Sequence, residues 1–235
     1  MSKALSIFHV DRLDLSFVPK AWAFADERRS EIDAFFAALR RKKPAIWNGR
    51  VLLMHCHAVT GGIFRGEYLE TDYASFAAWC HWDRPPAKVH DCFSAAAILT
   101  ADGAFLLGVM GQSTFNSGKI YFPCGTPDTD DIVGDTVDLE KSVGRELSEE
   151  TGLDIAEFVA EPGWTTVVDG SLIVQIKVLR AKENAAVLRE RILTHLASEQ
   201  NPELADIKIV RSRADFHPAM PRFATAFLAS RFGDG

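Results

Sequence analysis

A chain of 235 residues is long for one average domain and short for two large ones, and its 47% apolar residues supply ample core. A net charge of −6 without a long basic run argues against a nucleic-acid backbone as the main partner; small anionic substrates stay open, because a local cation and a few Arg or Lys decide that. No apolar run reaches the roughly 18 residues of a membrane span, so no membrane partner is expected. Cys56, Cys80, Cys92 and Cys124 lack Cys-x-x-Cys spacing, and Lys3, Asp11, Arg12 and Asp14 break the first apolar run, so no secretory leader is read there. Free thiols in a cytoplasmic protein are the expectation.

Leu5 to Val18, broken by Asp11 to Asp14, reads as one or two short strands. Asp26 reads as the N-cap of a helix in which Ile32, Phe35, Phe36 and Leu39 recur until Pro44, with Arg28, Arg29, Arg40 and Arg41 on its outer side. That outer side is either a solvated face or one that meets phosphate. After an Asn48-Gly49 turn come a strand from Val51 to Val59 and another from Gly62 to Leu69. His55 and His57, at i and i+2, fall on one face of the first, a pair that could hold a metal, although no third ligand follows at a useful spacing. Thr71-Asp72 caps a short helix carrying Tyr73, Phe76, Ala77 and Cys80, and Arg84-Pro85-Pro86 ends it. The Pro-Pro step marks the expected boundary between an N-terminal α+β section, residues 1–88, and a second domain, residues 89–235.

From Phe93 a strand runs to the Asp102-Gly103 hairpin signal and returns through Met110; Gln112 to Lys119 is a polar loop, and Ile120 to Phe122 deliver the turn Pro123-Cys124-Gly125. From Asp138 onward the pattern is helical. Leu139, Val143 and Leu147 form the buried stripe, and Gly152 stands where a left-handed C-cap ends it. Glu146, Glu149 and Glu150 then share one face of a single turn, at i, i+3 and i+4. Like charges so placed repel, and a hard cation such as Mg²⁺ is the counter-charge that carboxylate oxygens accept, with waters and substrate phosphates completing its octahedron. The bland reading of the same residues is a solvated acidic helix face. Strands over Phe158 to Ala160, Thr165 to Val168 and Leu172 to Leu179, a helix over Lys182 to Ser198, a strand over Ile207 to Val210 and a helix over Pro218 to Phe232 close the chain. This order suits an α/β/α sandwich with a mixed sheet.

The run Arg145-Glu146-Leu147-Ser148-Glu149-Glu150-Thr151-Gly152-Leu153 resembles the second half of the Nudix box, Arg-Glu-apolar-x-Glu-Glu-x-Gly-apolar. The first half departs: Val137 stands where the family has Glu, and eleven residues rather than five separate it from Gly125. A loop insertion within Thr126 to Asp135 explains the stretch, and one of Asp128, Asp130, Asp131, Asp135 or Asp138 could replace the missing Glu. The segment from Trp47-Asn48-Gly49 to Thr71-Asp72-Tyr73-x-x-Phe76 is similar to the N-terminal part of Nudix proteins related to the UDP-glucose pyrophosphatases.

The resemblance implies a Nudix-type sandwich and Mg²⁺- or Mn²⁺-dependent hydrolysis of the pyrophosphate linkage in a nucleoside diphosphate derivative, a nucleotide sugar or ADP-ribose class of substrate. It implies metal ligation by Glu146, Glu149, Glu150 and the carbonyl of Cys124, with Arg145 orienting the carboxylates. Glu146 is the first choice of general base and Glu161 the second. Phe115, Lys119 and Tyr121, on the way into the metal site, are candidates for base stacking and phosphate contact, as are Arg50 and Arg65. The N-terminal section would shape the substrate pocket or a homodimer contact. Two other functions share the scaffold: a catalytically silent nucleotide sensor, which Val137 favours, and an isoprenoid diphosphate isomerase, whose Cys and Glu pair finds no place here.

Overall fold

The structure, a computed structural model, describes residues 5–44, 46–112 and 114–233. The chain is a mixed α/β protein. Its first half holds β1 (Ser6–Val10), β2 (Arg12–Phe17), α1 (Ala23–Glu27), α2 (Arg29–Lys42), β3 (Arg50–Thr60), β4 (Ile63–Asp72), α3 (Tyr73–His81), β5 (Asp91–Leu99) and β6 (Phe105–Met110). Four short strands follow: β7 (Ile120–Tyr121), β8 (Cys124–Gly125), β9 (Ile132–Val133) and β10 (Thr136–Val137). Then come α4 (Leu139–Thr151), β11 (Val159–Ala160), β12 (Trp164–Asp169), β13 (Leu172–Arg180), α5 (Ala185–Ser198), β14 (Leu204–Val210) and α6 (Arg222–Phe232). Among the described residues no helix is long and apolar enough to cross a membrane.

Two compact units interleave along the chain: Met1–Asp11, Phe93–Gly125 and Glu140–Gly235 form one, and Arg12–Cys92 with Thr126–Leu139 the other. They do not part at residue 88. Strand pairing, which ignores sequence distance, is the reason: β1 pairs with β12, and β10 pairs with β2.

In the first unit the sheet runs β1-β12-β13-β5-β6-β14, with β8 beside β5 and β7 beside β6. Successive strand residues point to opposite faces, so the neighbours of β5 report what covers each side. Ser94 pairs with Gly125, whose missing Cβ would point at Glu146 of α4; Phe93 packs edge-to-face on Phe223 of α6, centroids 5.9 Å apart. Helices α4 and α6 therefore cover opposite faces, which is the layering the element order predicts. Phe227 of α6 meets Phe122 and Phe105 at 5.3 and 5.5 Å, and burying rings of this size contributes about 1.5–3 kcal/mol each.

The second unit has the sheet β3-β4-β2-β10-β9, with β2 and β4 parallel. One apolar cluster gathers Trp22, Leu53, Leu69, Trp79 and Val89, and another Ile32 and Phe36 of α2 with Ala74 and Ala78 of α3. Asp26 lies inside α1 and caps nothing; Asp72 does cap α3, accepting the Ser75 N–H at 2.9 Å. His55 and His57 do not share a face, because a β-bulge at His55 breaks the alternation between Met54 and Cys56. His55 turns to Lys20 and Glu67, while His57 stacks on Phe64 and meets His90 edge-on.

The stretch expected as a loop insertion is ordered structure of this unit. Asp128 and Asp131 cap each other across a short 3-10 turn, Thr129–Asp131, and β9 and β10 then form a hairpin. Val137 is 2% exposed, paired with Ile132.

Candidate active site

The buried face of α4 is not purely apolar. Leu139, Val143 and Leu147 seat the helix, yet Ser142, Glu146 and Glu150, one turn apart, are buried too. Gly152 ends the helix at φ +70, the left-handed cap read from the sequence.

The turn ahead of α4 in the chain is fitted to these carboxylates. The Cys124 N–H donates to Glu150 Oε1 at 3.1 Å, and a Cβ on Gly125 would lie 2.1 Å from Glu146 Oε1. A side chain here would have to displace the Glu146 carboxylate. Arg145 reaches Glu146 Oε1 at 2.7 Å and Glu149 Oε2 at 3.4 Å, so it acts as the counter-charge along the helix. Glu149 is the outlier of the three, its side chain 62% exposed.

Burial pushes the Glu150 carboxyl well above its usual range, the charge of Glu146 adds to this, and the Cys124 N–H opposes it. Its second oxygen, Oε2, is buried and has no hydrogen-bond partner. Such a group answers to a proton or a cation. Among the described residues no group of three or more His, Cys, Asp or Glu side chains is placed to hold a metal ion. The chemistry of the donor set still fits a hard divalent ion, which takes one or two carboxylates and keeps water and phosphate for the rest.

One carboxylate had no signal in the sequence. Glu203, just before β14, is raised in pKa by burial and then by Glu149 and Glu199, and its charge in turn acts on Glu150. It arrives through the β14–β6 pairing, where the Gly111 N–H donates to the Glu203 carbonyl at 2.7 Å. Neither motif nor periodicity marks Asn201-Pro202-Glu203.

Other expected residues sit elsewhere. Tyr121 is 7% exposed, packs on Phe223 and has its hydroxyl held by Asn116 at 3.0 Å, so it is a core residue and no stacking platform. Phe115 and Lys119 are exposed. Arg50 belongs to the other unit, where Glu70 takes its guanidinium, and Arg65 there pairs with Asp14 at 3.2 Å. Glu161 is held between Arg231 and Arg180: burial alone would raise its pKa, but these two cations overcome that and keep it low. With both of its oxygens taken by the Arg231 guanidinium, Glu161 is poorly placed to accept a proton from water. Asp169 pairs with Arg222 at 3.0 Å.

No family model and no curated protein matches the chain. It does match solved structures. The chain is similar to Nudix hydrolases of known structure. A Nudix hydrolase from M. smegmatis, RenU, is 18% identical over 60% of this chain and 83% of its own, with a TM-score of 0.38. A MutT protein from Methanosarcina mazei Go1 is 19% identical over 60% and 92%, with a TM-score of 0.39. A bifunctional NMN adenylyltransferase/ADP ribose pyrophosphatase from Francisella tularensis, complexed with AMP and a Mn ion, is 14% identical over 57% of this chain and 37% of its own, TM-score 0.36. Likenesses this distant carry no residue roles.

Proposed function

We propose that this protein is a divalent-metal-dependent pyrophosphohydrolase of the Nudix type, acting in the cytoplasm on a nucleoside diphosphate linked to another moiety, of the nucleotide sugar or ADP-ribose class. The observation that carries the reading is the Glu150 carboxylate, buried beside Glu146 and bound by the Cys124 N–H through one oxygen while the other has no partner. Mg²⁺ or Mn²⁺, held by Glu146, Glu149 and Glu150 with the Cys124 carbonyl, would neutralise phosphate charge and acidify water.

The chain's own residues divide the remaining work. Arg145 orients the Glu146 carboxylate, which takes a proton from the attacking water as general base. Gly125 leaves the room that this carboxylate needs. Phe115 and Lys119, exposed on the loop that leads to the turn, offer a stacking ring and a phosphate contact.

The test incubates the protein with Mg²⁺ or Mn²⁺ and a panel of nucleotide sugars, ADP-ribose, dinucleoside polyphosphates and dNTPs, following phosphorus NMR. Two phosphorylated products are expected from one of the first two classes. Folded protein that turns over none of them sinks the hydrolase. A silent nucleotide sensor is the second reading, favoured by Val137 at the position of a family Glu and by the outward Glu149. A sensor gains thermal stability from a nucleotide it does not consume, and Glu150→Gln leaves that gain intact.

A further inference from the structure

Helix α2 treats its cations unequally. Near its start Arg28 pairs with Glu31 at 2.5 Å and Arg29 with Asp72 at 2.9 Å. At its end Arg40, Arg41 and Lys42 are exposed, and among the described residues none has a carboxylate within ion-pairing distance. The helix dipole welcomes cations at a C-terminus, and three consecutive ones concentrate positive charge there.

A second observation lies one turn further on. The Ile46 N–H donates to the Lys43 carbonyl at 3.1 Å, and Trp47 follows with 57% of its surface exposed. Its ring is not loose. It lies over Gly49, where a Cβ would come within 1.4 Å of a ring carbon, and near Tyr73, centroids 6.2 Å apart. The backbone around it is pinned to the start of α3: Asn48 Oδ1 accepts the Ala74 N–H at 2.8 Å, and the Gly49 carbonyl accepts the Tyr73 N–H at 2.9 Å. Arg40 also lies over the Phe36 ring, 5.8 Å from its centroid, and a large indole backed by glycine and facing solvent follows these cations five residues along the chain; together they offer the two parts that single-stranded nucleic acid needs, phosphate contacts and a base-stacking surface.

We propose that Arg40, Arg41 and Lys42 with Trp47 form a docking surface for single-stranded nucleic acid, the cations taking backbone phosphates and the indole stacking one base. The whole-chain charge of −6 argues against such a partner only if charge is spread evenly, and here it is not. An anionic membrane is the less fitting occupant. The apolar stripe of α2, Ile32 and Phe36, is consumed against Ala74 and Ala78, which leaves no apolar helix face to insert.

The test measures fluorescence anisotropy of labelled twelve-nucleotide oligo(rU) and oligo(dT) with the full chain at low salt, and then as salt is raised. Three phosphate contacts predict a log–log salt slope of about −2, at about −0.7 per contact for single strands. The triple variant Arg40→Gln, Arg41→Gln, Lys42→Gln should bring that slope towards zero. Trp47→Ala should weaken binding about tenfold while keeping the slope, consistent with the loss of a stacked base. All four side chains are exposed, and melting curves verify that the variants stay folded. No binding at low salt overturns the proposal, as does binding that survives both variants, or binding to phosphatidylserine vesicles with none to the oligonucleotides.

Discussion

At the scale of single residues, Glu150 concentrates the conflict between stability and function. Its folded pKa lies above the ordinary value of 4.5, so its favourable contribution is complete below that value and is lost as pH rises through the raised one. Glu150→Gln removes the cost of ionising a buried group. In a chelator it should therefore raise Tm by about 2 °C or more, with the gap over wild type widening from pH 5 to pH 8 in calorimetry. The same variant should lose orders of magnitude in kcat with Mg²⁺ present. A Tm that falls instead would show that the carboxylate is paired. Gly125→Ala is the steric counterpart: its Cβ claims the space of Glu146 Oε1, so hydrolysis should drop at least about a hundredfold in a protein whose circular dichroism is unchanged.

At the scale of elements, the β9–β10 hairpin accounts for Val137. The stretch before α4 is used as sheet, and the Val137 side chain is core. Val137→Glu should accordingly bury an unpaired carboxylate and cost about 3 kcal/mol or more in urea unfolding, with no gain in rate. Asp128 and Asp131 are spent on capping the turn before it. The cap on α3 is a simpler case: Asp72→Ala loses both the Ser75 N–H and the Arg29 pair and should cost about 1–2 kcal/mol by the same measurement. What was legible at this scale followed short-range rules. The helix of Leu139 to Thr151, its glycine cap, the Asp102-Gly103 hairpin and the α3 cap all depend on neighbours within a turn or two. The His55 bulge, Tyr121 in the core and Glu203 beside Glu150 depend on partners far along the chain.

At the scale of the whole molecule, the two units exchange segments, so neither is a continuous stretch of chain. Cutting at residue 88 strands β1 and β2 on one fragment and β12, β9 and β10 on the other. Fragments 1–88 and 89–235, expressed separately, should each show poor amide-exchange protection and a broad melt, and should recover a cooperative transition only when mixed. Two fragments that each fold cooperatively would restore the boundary at the Pro85-Pro86 step.

The sequence by itself determined the acidic turn of α4, because three carboxylates, an arginine and a terminal glycine at helical spacing have few meanings. It also determined the alternation of helices and strands that layers α4 and α6 across one sheet. Only the tertiary structure decided that Glu150 is buried against the Cys124 N–H while Glu149 faces water, that Glu161 is clamped by Arg180 and Arg231, and that residues 126–139 belong to the other unit. The physical reason is range: helix periodicity and capping act within a few residues, whereas burial, strand partners and the sign of a pKa shift are set by whatever the fold brings from far along the chain.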